Sequence, residues 1–292
     1  MNKEDPIAAA FWMIGAIFAF TAMAIAGRAL ADVHDTFEIM TFRSLVGIII
    51  VVAVGKFAGT LHEIRMRRLG LHFLRNISHF IGQNLWFFAI TAAPLAQVFA
   101  LEFTTPLWGM LLAAVFLREK LTAYQVTLAV IGFAGVLIVT EPGDGFVFST
   151  GLMAAGIAAI GFAGAAICTR ALTRTKSITC ILFFLTAIQG GFGLITMLYD
   201  GAFTLPTIAT LPWLTLVGCA GLLAHFCITK ALSMASASVV MPIDFARLPI
   251  IAMVGMVFYD EPLSWAVFIG AAVIFLANYL NIRANTASAT SR

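Results

Sequence analysis

The chain repeats itself. Residues 24–129 shifted forward by 142 positions fall on a second copy without a gap. Ala24-Ile25-x-x-Arg28-Ala29-Leu30 lands on Ala166-Ile167-x-x-Arg170-Ala171-Leu172, and Val115-Phe116-x-x-Glu119-x-Leu121 on Val257-Phe258-x-x-Glu261-x-Leu263. Between them Ala89, Ala93, Val98 and Phe103 match Ala231, Ala235, Val240 and Phe245, and Glu102 falls on Asp244. Each copy holds an odd number of apolar spans, so two copies in tandem must cross a membrane in opposite senses. In that architecture solute sites lie near the midplane, between the copies.

A membrane is required by composition. Of 292 residues, 61% are hydrophobic and 11% charged, with a mean hydropathy of +1.01; soluble domains carry about 25% charge. The four cysteines, Cys168, Cys180, Cys219 and Cys227, lie in or at the edge of apolar spans without metal-ligand spacing. They read as small buried hydrophobes rather than a disulfide framework. The apolar stretch 7–27 is longer than a signal-peptide core, and Lys3 is offset by Glu4 and Asp5, so it is expected to remain as the first span.

About 20 apolar residues cross the roughly 30 Å hydrocarbon layer. Ten stretches qualify: 7–27, 37–57, 72–91, 95–117, 123–140, 150–170, 178–198, 210–230, 236–258 and 263–282. With both termini cytoplasmic, 14 Lys and Arg fall on the cytoplasmic side and only Arg28 on the other; Arg43 and Arg247 lie within spans. That is a strong positive-inside bias. The expected fold is therefore an all-α integral membrane protein of ten transmembrane helices. It forms two inverted five-helix repeats, 1–140 and 141–292, intertwined in one membrane domain with both termini cytoplasmic. Trp12, Trp213 and Trp265 sit where interface anchors belong. Gly132/Gly135 and Gly151, Gly156, Gly161, Gly164 recur at spacings that allow close helix contact.

Ionisable groups inside hydrocarbon are costly, face the bundle interior and have partners. The candidates are Arg43, His79, Gln83, Glu102, His225, Asp244 and Arg247. Asp244 and Arg247, three apart on one helix face, can pair, either as a self-neutralising packing pair or as a gate near the midplane. Pro242 and Pro249 bracket them and loosen that helix. Glu102, the repeat partner of Asp244, lies about 10 Å below the outer surface at 1.5 Å per residue. Arg43 lies at similar depth, so an Arg43–Glu102 contact is expected as a gate or ion pair; a proton-coupling role for Glu102 is the alternative. In the third span His79, Gln83 and Trp86 recur at i, i+4, i+7, with Asn76 a turn earlier, forming a polar face that must meet protein or water. The offset pairs Gln83 with His225, which places the third and eighth spans opposite one another. Histidine also allows a proton role.

No nucleotide-binding Gly-rich loop with its Lys, no His-Glu-x-x-His pair, and no nucleophile-elbow serine is present. The chain is expected to be no enzyme and to need no cofactor or metal.

Residues 102–138 and 244–276 resemble the drug/metabolite transporter (DMT) superfamily, EamA-type ten-helix exporters in particular. Pro106, Val115-Phe116-Leu117-Arg118-Glu119-Lys120-Leu121-Thr122, Gln125 and Gly132-Phe133-Ala134-Gly135-Val136 carry the resemblance. The second copy departs, with Leu248-Pro249, Asp260-Glu261-Pro262 and no following Gly-x-x-Gly. The aromatic-rich spans are similar to the aromatic amino-acid exporter (YddG-like) branch. That resemblance implies a cavity among spans 1–4 and 6–9, with spans 5 and 10 peripheral, and efflux of amino-acid-sized solutes.

The resulting expectation is an inner-membrane secondary transporter exporting aromatic and other neutral amino acids by alternating access. Arg247 or His225 would hold the carboxylate and Asp244 or His79/Gln83 the ammonium. Trp86, with Phe99 or Phe245, would hold the side chain. The partners expected are a small-molecule substrate and the lipid bilayer, with no nucleic acid. A proton gradient or the membrane potential would be the driving force, in a monomer or homodimer. Nucleotide-sugar or drug export and a passive solute channel are the alternatives.

Overall fold

A computed structural model describes residues 5–117, 121–140, 149–173, 175–201, 203–234, 243–244, 246–262 and 264–290. Among them there is no strand. The helices are α1 (Pro6–Leu30), α2 (Thr36–Phe57), α3 (Leu69–Ala92), α4 (Leu95–Glu102), α5 (Thr105–Leu117), α6 (Ala123–Thr140), α7 (Thr150–Thr173), α8 (Ile178–Asp200), α9 (Leu211–Met234), α10 (Arg247–Tyr259) and α11 (Trp265–Thr290), with one 3-10 turn at Leu61–Glu63.

Among the described residues six stretches are long and apolar enough to cross a membrane: α1, α2, residues 95–112 across α4 and α5, α7, α8 and α9. Shorter apolar helices cover 123–139, 247–259 and 265–281. α3 has the length but carries His72, Arg75, Asn76, His79, Gln83 and Asn84, all buried. A helix this polar belongs inside a bundle, where each polar group can find a partner. α1 shows the opposite pattern. Ile7, Phe11, Ile14 and Phe18 form an exposed stripe with nothing but an apolar solvent to face.

Local chemistry sets the helix ends. Asp35 and Glu38 form a reciprocal capping box at the start of α2, satisfying two free backbone donors. Asp5 caps α1 by accepting from Ala8 N at 3.0 Å, and Ser177 caps α8. Gly201, at φ 69°, ends α8 in the left-handed conformation that glycine adopts without strain.

The main packing contacts are α1 on α9, α2 on α8, α3 on α7, α6 on α11, and α4 on α10 and α7. Small residues permit them. A Cβ on Gly135 would stand 2.8 Å from the Gly270 carbonyl oxygen, and one on Gly270 2.6 Å from that of Gly135. Gly161 meets Ser78 O and Gly82 Cα at comparable range, and Gly151 meets Ala92. Gly156 meets nothing within 4 Å; its spacing alone did not make it a contact. The core between these layers includes Met23, Met40, Trp86, Phe87, Phe99 and Leu101.

One expected helix is interrupted. The stretch 95–117 breaks at Phe103–Thr104 into α4 and α5. Pro106 has no N–H to give the Glu102 carbonyl. Thr105 Oγ1 donates to that carbonyl instead, and Thr104 Oγ1 donates to Leu101 O at 2.6 Å. Asn278 of α11 caps the exposed Phe103 carbonyl at 2.7 Å. In the second copy Ala246 is a turn and α10 begins at Arg247. The offset of 142 carries Thr104 onto Ala246, so both copies depart from helix at the same repeat position. Pro242 and Phe245 lie outside the described residues, as do Lys3, Arg118, Glu119, Lys120, Glu141, Asp144, Arg174 and Arg292.

Candidate solute-binding site

The two helix interruptions bring charge into the bundle. Arg247 Nη2 donates to Glu102 Oε1 at 2.9 Å and to Asp244 Oδ2 at 2.9 Å. The Asp244–Arg247 pairing expected from i,i+3 spacing is present. Glu102 also accepts from the Trp86 indole N–H at 2.8 Å. The guanidinium sits over the rings of Phe20 (4.7 Å), Phe99 (4.8 Å) and Phe103 (5.3 Å), a favourable placement for a desolvated cation. Arg247 is 2% exposed, whereas each carboxylate keeps 17% of its side-chain surface open. One nitrogen serves both carboxylates, so Arg247 Nε and Nη1 are buried with no partner, as is Asp244 Oδ1.

A second cluster joins four helices. Arg43 Nη1 (α2) donates to Gln189 Oε1 (α8) at 3.1 Å. Gln189 Nε2 lies 2.8 Å from His79 Nδ1 (α3), and His79 Nε2 lies 3.3 Å from His225 Nε2 (α9). Phe162 and Phe20 stand beside the two imidazoles. Arg43 Nε is buried without a partner and presses on Gly221, where a Cβ would come within 2.7 Å of it. A crevice lined by Arg43, Ser44, Gly47, Gln189, Gly218 and Leu222 opens beside it.

α3 ties the clusters together. Its face carries His79 in the second and Trp86 in the first. Gln83 lies between them, 3% exposed, with its Nε2 unpartnered. Alternating steps of four and three residues stay close to the helical turn of about 3.6 and keep these side chains on one face. The offset pairs His225 with Gln83, and the two helices it set opposite one another do meet, through His79 and His225.

One expectation needs correction. Arg43 does not pair with Glu102: its partner is Gln189, and the cation on Glu102 is Arg247. Equal depth was the only warrant for the expected contact. α2 packs on α8 while α4 packs on α10, so groups at one depth sit on different pairs of helices. Arg75, one of the 14 charges counted to the cytoplasmic side, is 4% exposed on α3 and donates to Thr169 Oγ1 at 2.9 Å. Gln189, fully buried, was missed because, unlike Gln83 beside His79, it has no ionisable residue near it on its own helix to mark it. Its place in the middle of an otherwise apolar helix was the available signal.

Where α1 ends and α4 begins, a third contact closes the bundle. Arg28 Nη1 bonds Glu261 Oε1, whose Oε2 accepts from Leu95 N at 2.8 Å, and Arg28 stacks 4.2 Å over Tyr259.

Comparison with known proteins follows this geometry closely. The family model described as the EamA-like transporter family matches residues 7–141. A riboflavin transporter of Vibrio cholerae is 28% identical over 94% of this chain and 93% of its own. A riboflavin transporter of Brucella anthropi is 32% identical over 78% and 81%. An S-adenosylmethionine uptake transporter of Rickettsia bellii is 25% identical over 91% and 90%. A crystal structure of a protein with no more specific description shares the fold, with a TM-score of 0.66 over 92% of this chain and 94% of that one at 18% identity.

Proposed function

The chain belongs to the EamA-like transporter family, within the DMT superfamily, and on that premise we propose that it carries an uncharged, acceptor-rich metabolite of riboflavin type by alternating access. It is a multi-pass protein of the inner membrane and a small-molecule transporter. The finer reading is ten spans in two inverted halves with both termini cytoplasmic. The 14-to-1 charge bias supports the orientation. The packing supports the inversion: exchanging the halves carries the α1–α9 contact onto α7–α3, while α2–α8 and α6–α11 map onto themselves. Discontinuous helices at equivalent repeat positions are where transporters of this architecture hold their solutes.

The observation that carries the substrate class is the inventory of unmet groups. In and between the two clusters, Arg247 Nε and Nη1, Arg43 Nε and Gln83 Nε2 are buried donors without acceptors and Asp244 Oδ1 is the open acceptor; Oδ1 of Asn84, Asn278 and Asn281 are unmet acceptors outside those clusters. Leaving a buried donor unbonded costs about 1–3 kcal/mol, so a solute offering carbonyls, ring nitrogens and hydroxyls gains by filling them. Arg43 and Arg247 balance Glu102 and Asp244, which favours a solute with no net charge. Phe20, Phe99, Phe103 and Trp86 supply flat apolar surface. A flavin-like ring bearing a polyhydroxyl chain matches all three features. A sulfonium-bearing solute, beside two guanidiniums, matches them less well. The relatives give the amino-acid export implied by the aromatic-exporter resemblance no support.

Counterflow in proteoliposomes tests the proposal. Labelled riboflavin, S-adenosylmethionine and phenylalanine are supplied separately to vesicles preloaded with the same unlabelled solute. Saturable exchange of riboflavin above the other two is expected. Exchange of phenylalanine or S-adenosylmethionine without riboflavin overturns the substrate class, and non-saturable leak of all three overturns alternating access in favour of a channel.

A further inference from the structure

We propose that Gln189 is a positioning residue: it sets the direction of the hydrogen-bond chain Arg43–Gln189–His79–His225 and so fixes which nitrogen of each imidazole carries its proton. The inference rests on the transport reading only in taking this interior as the solute path.

The direction follows from one end. A guanidinium only donates, so the atom 3.1 Å from Arg43 Nη1 must be the amide oxygen of Gln189. The amide nitrogen then points at His79 Nδ1, 2.8 Å away. Because that nitrogen only donates, His79 Nδ1 must be the bare, accepting nitrogen, and the His79 proton sits on Nε2. His79 Nε2–H donates across 3.3 Å to His225 Nε2, which must therefore be bare, leaving the His225 proton on Nδ1. Neither ring can be an imidazolium in this arrangement. A charged His79 would set Nδ1–H against the amide N–H, and a charged His225 would set two Nε2–H groups face to face.

Without Gln189 nothing in this cluster chooses between the two orders. An isolated pair of neutral imidazoles is satisfied equally by donation in either direction. Gln189 is fully buried, so water does not compete for its amide. It hands the fixed polarity of Arg43 on α2 through α8 to α3 and α9. The outcome leaves His225 Nδ1–H as a donor with no acceptor among the described residues. It joins the unmet N–H groups of Arg247, Arg43 and Gln83 as a donor for a solute acceptor.

The experiment is nitrogen NMR of the full chain, labelled with 15N-histidine, in lipid nanodiscs. Single His→Asn variants assign the five histidines. In the unaltered protein His79 is expected as the Nε2–H tautomer and His225 as Nδ1–H. Gln189→Glu keeps the shape but accepts at both ends, so it should reverse the chain, giving His79 Nδ1–H and His225 Nε2–H. An unaltered protein showing His79 as Nδ1–H, or an even mixture, overturns the assignment. So does a Gln189→Glu variant, folded by its unfolding midpoint, whose tautomers match the unaltered protein. The readout needs no transport. Added riboflavin should move the His225 Nδ1 resonance; if it does not, the substrate reading fails while the tautomer assignment stands on its own data.

Discussion

The two polar clusters of the bundle are built on opposite principles. At the helix breaks, Glu102, Asp244 and Arg247 are held by full charges across α4 and the start of α10. Around Gln189, four helices are joined by a chain in which only Arg43 is charged and direction does the work of charge. The charged cluster is strong but undirected: one guanidinium nitrogen serves two carboxylates and leaves two others free. The relay is weaker per bond but has one allowed order. On the proposed reading, a carrier holding and releasing a solute between them would have a firm anchor on one side and an oriented surface on the other.

The contrast breaks first at Arg247. Removing one partner of a buried ion pair leaves an uncompensated charge, at about 3–5 kcal/mol. Arg247→Ala should therefore lower stability by roughly 3 kcal/mol, toward the small end because Glu102 and Asp244 keep some exposure, and abolish flux. A thermal unfolding midpoint in detergent within error of the unaltered protein would erase the distinction. Glu102→Gln is milder. The amide can still accept from Arg247 or Trp86 but not as a charge, so a loss of about 1–2 kcal/mol is expected, read by the same midpoint and by riboflavin exchange.

The relay should respond less in stability than in transport. His79→Leu removes two neutral bonds and costs on the order of 1 kcal/mol each. Riboflavin exchange should fall about tenfold, the equivalent of one such bond at the transition state. If His79→Leu destabilises as much as Arg247→Ala, the clusters do not differ in kind. Smallest of all should be Glu261→Gln at the far contact with Arg28, whose side chain is 20% exposed. Partly solvated pairs are worth ~1 kcal/mol or less. A drop of several kcal/mol there would show that the bundle end, and neither interior cluster, dominates stability.

Much of this was legible beforehand, residue by residue. The i,i+3 spacing put Asp244 and Arg247 on one face, where they pair. The 142-residue offset put the helix of His225 against that of His79, where the rings meet. Pro106 marked a weak point in the fourth span, though nothing local said that Thr104, Thr105 and Asn278 would take up the freed carbonyls. Arg43 and Glu102 were matched by depth, which is one coordinate of three; neighbouring helices supply the others. Gln189 escaped notice because, unlike Gln83 with His79, no ionisable residue near it on its own helix drew attention to it.

Order along the chain determined the apolar spans, the doubling of the unit, the positions of the charges and the class of carrier to which the protein belongs. These depend on hydrophobicity and spacing, which short stretches carry independently. Which helix lies beside which, and therefore that Arg247 answers Glu102 while Arg43 answers Gln189, was decided only when the halves packed. A hydrogen bond needs a partner within about 3 Å, and close glycine contacts such as Gly47 on Thr186, on the α2–α8 pair that carries Arg43 and Gln189, bring residues far apart in the chain to that range.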